Sequence, residues 1–178
     1  MSALVAIPDT LIINYLEMTS PTEFRPDYAH DLSGVLIMQA EQPDIDFYRF
    51  LYRAVGYDLR WRDRLIMADD ELQHIVTSPD TRIDVLYVNG IPAGYCELER
   101  QGSDTEIAFF GLRPGYQGRG LGKHLLSLGI ARAWEWGSER VWVHTCNMDG
   151  EAALPNYLKR GFTVYKVEEQ PMPERYKT

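Results

Sequence analysis

The 178-residue sequence predicts an α/β fold, with a mixed, mostly antiparallel central sheet of about six or seven strands and helices on both faces. Three observations carry that expectation. The chain is 45% hydrophobic and 12% aromatic, enough apolar surface for one compact domain. Short β-forming runs fill its first half and middle, two of them joined by Asn89-Gly90, the strongest short signal for a hairpin. Beyond Thr105 the pattern alternates strand, helix, strand, helix, strand.

The elements follow in order. Thr10 to Met18 is rich in β-formers and reads as a strand. Thr19 to Ser33 is polar, contains prolines and reads as a loop. Val35 to Ala40 is a short apolar strand, stopped by Pro43. Asp44 is the N-cap expected for a helix to Val55, with Gly56 as its stop. Ile45, Tyr48, Leu51, Tyr52 and Val55 form one apolar face there, and Phe47 and Phe50 widen it. A face this wide is buried on more than one side, lines a site, or pairs with a second copy. A short helix is expected from Asp70 to Thr77, ended by Ser78-Pro79. Ile83–Val88 and Ile91–Arg100 form the hairpin, and Gly102-Ser103-Asp104 turns the chain into a strand over Thr105–Leu112. A helix over Leu121–Trp136 closes at Gly137. Arg140–Thr145 is a strand, Glu151–Arg160 a helix and Phe162–Val167 a final strand.

Charge and cysteine content narrow the function classes. The net charge is −8, which argues against a nucleic-acid coat and favours small or cationic partners. Cys96 and Cys146 lie far apart, so neither a metal-ligand spacing nor a disulfide framework is expected, and a reducing cytoplasm fits. MSALVAIPDT lacks a basic leader pattern, and no uncharged apolar run reaches membrane-spanning length.

The chemistry concentrates in Pro114 to Leu126, PGYQGRGLGKHLL, where four glycines fall within eight residues just before a helix. A helix start presents unpaired N–H groups and a partial positive charge. Glycines at Gly118, Gly120 and Gly122 clear side chains from those donors, and Arg119 and Lys123 add charge. The stretch reads as a cradle for a phosphate group. It is not the nucleotide-triphosphate loop, whose first glycine would fall at Gln117 and whose Ser/Thr would fall at His124. It is not the dinucleotide fingerprint either, because Lys123 stands at the last glycine position.

Gln117-Gly118-Arg119-Gly120-Leu121-Gly122 matches Gln/Arg-x-x-Gly-x-Gly/Ala and resembles the acetyl-coenzyme A signature of the GNAT superfamily of N-acetyltransferases. Tyr157-Leu158-Lys159-Arg160-Gly161-Phe162 is similar to the family's later Tyr-x-x-x-Gly-Phe motif. Glu106, at the start of EIAFFGL, matches a glutamate that opens the same strand in the histone-acetylating branch. The three features span about Ile83 to Phe162. The resemblance implies a single domain over 1–178, with residues from about 1 to 80 on the acceptor side and from about 81 to 170 holding the coenzyme.

It also implies site roles. Backbone groups of Phe110, Gly111 and Leu112 would hold the coenzyme's pantetheine arm in a splay between two strands, with Gly111 at a bulge or close approach. Gln117 to Lys123 would hold the pyrophosphate. An alkylammonium has a pKa near ~10.4, so the acceptor must lose a proton before it attacks. Glu106 is the candidate base and Tyr157 the candidate acid for the leaving sulfur. Where many relatives carry Asn, this chain has Gly150, and Asn147 and Asn156 are candidates to replace that contact. His144, Cys146 and Asp149 show no metal spacing, and His144, at a strand end near Tyr157, reads either as a support to the site residues or as structural. Tyr48, Tyr52, Tyr57 and Trp61 are open to caging an amine or to core packing. Arg60, Arg62 and Arg64 form a basic island, for an acidic substrate or for solvent. The expected activity is direct acetyl transfer to a small-molecule or peptide amine, without metal. The rival is a non-catalytic acyl-coenzyme A binding module.

Overall fold

The computed structural model describes residues 6–178, so the first five residues of the MSALVAIPDT stretch lie outside the described residues. Seven strands form one sheet in the order β2-β3-β4-β5-β6-β1-β7. The strands are β1 (Thr10–Met18), β2 (Val35–Gln39), β3 (Thr81–Val88), β4 (Ile91–Gln101), β5 (Asp104–Leu112), β6 (Arg140–Cys146) and β7 (Thr163–Pro171). The helices are α1 (Ile45–Gly56), α2 (Asp63–Ile66), α3 (Asp69–Val76), α4 (Leu121–Glu135) and α5 (Ala153–Lys159).

Local chemistry fixes most boundaries. Asp44 accepts the Phe47 N–H at 2.8 Å and caps α1. Asn89 and Gly90 both take positive φ, 50° and 81°, as a two-residue hairpin turn requires. Gly137, at φ 82°, ends α4. Apolar residues fill both faces of the sheet. One core joins Leu16, Leu86, Leu98, Leu125, Ile130 and Phe162 beneath α4 and α5. The other joins Tyr48, Leu51, Tyr52, Leu72, Ile83 and Tyr95 beneath α1 and α3.

Some expectations need correction. α1 includes Gly56 rather than stopping before it, and a Cβ there would overlap the Trp61 indole. α2 has no counterpart in the sequence reading. α5 starts at Ala153, two residues late, and β7 runs on to Pro171. Phe50 is exposed at 44%, so the widened face of α1 is only partly buried.

One feature of the sheet matters most. All its pairings are antiparallel except β5 with β6, and that parallel ladder holds only Asp104↔Arg140, Thr105↔Val141 and Glu106↔Trp142. Beyond Glu106 the two strands splay apart.

Candidate active-site cleft

The splay opens a cleft of about 740 Å³. Its wall along β5 has free polar backbone. The Arg113 N–H donates to the Ala93 carbonyl, and the β4–β5 register from Gly94↔Leu112 to Glu97↔Phe109 keeps the same phase. Antiparallel alternation therefore turns Gly111 towards β4 and the N–H and C=O groups of Phe110 and Leu112 towards the splay. The bulge on β5 lies at Ala108, not at Gly111. Gly111 serves close approach instead, since a Cβ there would come 2.6 Å from Val55 Cγ1 on α1.

The glycine loop forms one end of the cleft. Gly118 and Gly120 take φ of 80° and 75°, which only glycine adopts freely. A Cβ on Gly118 would meet nothing within 4 Å, so the space above it is open. Among the described residues, no backbone N–H from Gly118 to Lys123 donates to a protein acceptor. Six consecutive donors thus stand free at the start of the 15-residue α4. The Lys123 ammonium is already engaged, with both Asp27 carboxylate oxygens at 3.0 Å. That pairing holds the Asp27 carboxyl below its usual range.

Most residues singled out in the sequence share this cleft: Glu106, Phe110, Gly111, Leu112, Gln117, Gly118, Gly120, Gly122, Lys123, Asn156 and Tyr157. Arg119 and Leu121 do not. They border a separate depression with Asp31 and Ser33, and the Leu121 side chain is buried in the core. Asn147 is spent elsewhere, bonded to the backbone of Thr10 and Ile12. Tyr52 and Trp61 line the cleft, whereas Tyr48 is buried and Tyr57 lies exposed under Arg62. Arg64 is not in solvent. It is 7% exposed and donates to the fully buried Glu97 at 3.1 Å, and Glu97 also accepts from the Tyr48 hydroxyl.

Tyr157 sits in α5 at 6% exposure, packed edge-on between Phe110 and Phe162. Its hydroxyl has no protein partner among the described residues, and burial raises its pKa strongly. Glu106 is 8% exposed and accepts from Gln101 Nε2 at 2.8 Å. His144 faces it from β6 and lines the cleft, with Nδ1 3.4 Å from Glu106 Oε1. The Glu106 carboxylate holds the His144 imidazole above its usual pKa against the opposing effect of burial.

Several lining residues carry no sequence signal. Tyr15 arrives through the β1–β6 register, opposite His144. Arg175 and Tyr176 arrive because the chain after β7 folds back, with Arg175 on Asp63 at 2.9 Å and the Tyr176 carbonyl accepting from Arg60. Asp149 accepts from Thr145 Oγ1 and the Cys146 N–H, and Trp61 Nε1 reaches it at 3.5 Å.

Residues 37–162 match the acetyltransferase (GNAT) family. The chain belongs to that family. An uncharacterized N-acetyltransferase of Mycobacterium tuberculosis is 33% identical over 90 residues, which is 50% of this chain and 57% of that relative. The match thus spans little more than half the relative's length. An uncharacterized N-acetyltransferase of Lactobacillus delbrueckii subsp. lactis is 25% identical over 152 residues, covering 75% of this chain and 87% of that protein. Among solved GNAT structures, a GCN5-related N-acetyltransferase from Kribbella flavida superposes with a TM-score of 0.64 at 16% identity, over 91% of this chain and 58% of that one. An aminoglycoside acetyltransferase from an uncultured soil metagenomic sample, in complex with sisomicin, gives 0.59 at 17% identity, over 73% and 90%. At these identities the structures speak for the GNAT fold alone.

Proposed function

We propose that the protein transfers an acetyl group from acetyl-coenzyme A to a primary amine by direct transfer in a ternary complex. One observation supports this above the others: in the run of free N–H groups from Gly118 to Lys123, the residues Gly118, Gly120, Gly122 and Lys123 line the same cleft as the buried Glu106. The residues fit the coenzyme. The free donors and the α4 N-terminus suit a pyrophosphate. The free edge of β5 at Phe110 and Leu112 suits an amide-bearing arm, and Asn156 lines the cleft beside it. When bound, the coenzyme supplies a thioester ready for acyl transfer.

The chain supplies the rest. Phe110 N–H is free to donate to an oxygen on which negative charge develops. Glu106 takes a proton from the acceptor ammonium. Tyr157 holds a proton at its hydroxyl, and its raised pKa reserves that proton for a strong base such as a thiolate. The acceptor class is a small-molecule or peptide amine, and a cytoplasmic setting goes with this reading.

The test is calorimetric binding of acetyl-coenzyme A to the native chain and to Gly120→Asp, followed by thiol release with a panel of amines. Binding by the native chain that Gly120→Asp abolishes, and amine-dependent thiol release, are expected. A folded native chain that does not bind the coenzyme overturns the proposal.

A further inference from the structure

We propose that His144 is the proton outlet of Glu106, carrying the acceptor's proton from the buried carboxylate to solvent. This rests on the reading of Glu106 as the base. The two residues come from different strands, and the end of the parallel β5–β6 ladder at Glu106↔Trp142 brings them together.

The two carboxylate oxygens of Glu106 have different surroundings. Oε2 is pinned by Gln101 Nε2 at 2.8 Å, and Gln101 is held in turn because its Oε1 accepts the Trp142 indole N–H at 3.2 Å. Oε1 faces His144 Nδ1 at 3.4 Å. Glu106 is nearly closed to water, whereas the His144 side chain is 47% exposed. Tyr15 and Trp142 flank the imidazole, with ring centroids 5.8 Å and 6.1 Å away, and limit its rotation. Among the described residues the His144 side chain has no polar side-chain partner besides Glu106, which leaves its second nitrogen to solvent.

The chemistry needs such an outlet. An ammonium acceptor that ends as an amide, while the coenzyme ends as a thiol, gives up one proton to solvent in each turnover. Glu106 takes that proton as a carboxylic acid and cannot serve again until it is returned to the carboxylate. His144 accepts the proton at Nδ1, and the imidazolium is stabilised by the restored carboxylate. It then gives a proton to water from its exposed edge. The other groups facing His144 are Asp149 after β6, Asp63 on α2 and Tyr15 on β1. Asp149 is bonded to Thr145 and Cys146, Asp63 pairs with Arg175, and the Tyr15 hydroxyl donates to Glu168. Glu106 therefore remains the direct partner. His144 acts through Glu106, so it is a positioning and relay residue.

Two measurements test this. The first is an NMR titration of the His144 imidazole in the native chain and in Glu106→Gln. The imidazole pKa is expected to fall towards about 6.5 in the variant. An unchanged value overturns the pairing, whether or not an acceptor amine is known. The second is turnover of His144→Ala with an amine found by the thiol-release screen. A loss on the order of 10²-fold in kcat is expected, restored by imidazole in the buffer. If Glu106→Gln loses turnover but His144→Ala keeps the native kcat and pH profile, the outlet is wrong while the base stands. If Glu106→Gln keeps native turnover, the base reading fails and takes the outlet with it.

Discussion

Replacing Arg64 by Met isolates the buried charge beside the cleft. Glu97 is 1% exposed and Arg64 is 7% exposed, and the guanidinium is the cation bonded to that carboxylate. Burial pushes the Glu97 pKa up, while Arg64 and the Tyr48 hydroxyl oppose the shift. Removing one partner of a buried pair leaves an uncompensated charge and costs roughly 3–5 kcal/mol. For a chain of this length that is a fall of roughly 6–20 °C in Tm. The pH sign follows from the raised pKa. A folded state that holds its carboxyl proton more tightly is stabilised below the ordinary carboxylate range, and it loses that stability as pH rises through the folded value. Without Arg64 the Glu97 pKa rises further, so the deficit of Arg64→Met is largest near neutral pH and shrinks on acidification. Urea unfolding at several pH values measures both effects. The double variant Arg64→Met with Glu97→Gln is expected to recover most of the loss, because an uncharged amide needs no cation. A loss under about 1 kcal/mol, or one that does not change with pH, would refute the reasoning.

Tyr157→Phe removes a hydroxyl that has no protein partner among the described residues, so Tm is expected to hold within a degree or two while turnover falls about 10²-fold or more. Native turnover in that variant would leave Tyr157 a packing residue. Gly118→Ala puts a Cβ into open space above the free donors at φ 80°, so unfolding should show a loss of about 1–2 kcal/mol. Calorimetry is expected to show a disproportionate loss of coenzyme affinity in the same variant. Gly111→Ala forces a Cβ to 2.6 Å from Val55 Cγ1, an overpacking cost of roughly 1–3 kcal/mol in thermal unfolding. Adding Val55→Ala should relieve it, and a double variant no better than the single one would locate the strain elsewhere.

What the sequence made legible was local chemistry. The Asp44 cap, the Asn89-Gly90 turn and the Gly137 stop each act within a few residues, and each stands where it was expected. The glycine loop was legible because its donors belong to one short stretch. Contacts between distant strands were not. The Ala108 bulge depends on pairing with β4, and the approach of His144 to Glu106 depends on where a parallel ladder stops. Arg64 reads as a surface residue beside Arg60 and Arg62 because its partner Glu97 lies 33 positions away on β4. The return of Arg175 and Tyr176 to the cleft follows from the length of β7, which the alternation beyond Val167 does not announce.

The short β5–β6 ladder also has a mechanical meaning. Three residue pairs join a four-stranded leaf, β2-β3-β4-β5, to a three-stranded leaf, β6-β1-β7. Each leaf is stitched along its own length by antiparallel hydrogen bonds, so the seam between them has the fewest. α4 bridges it on one face, packing against β4, β5 and β6. A ligand lying along the open edge at Phe110 and Leu112 would act as a splint across that seam. Its binding would slow amide exchange in β6 and β1 as well as in β5, far beyond the atoms it touches.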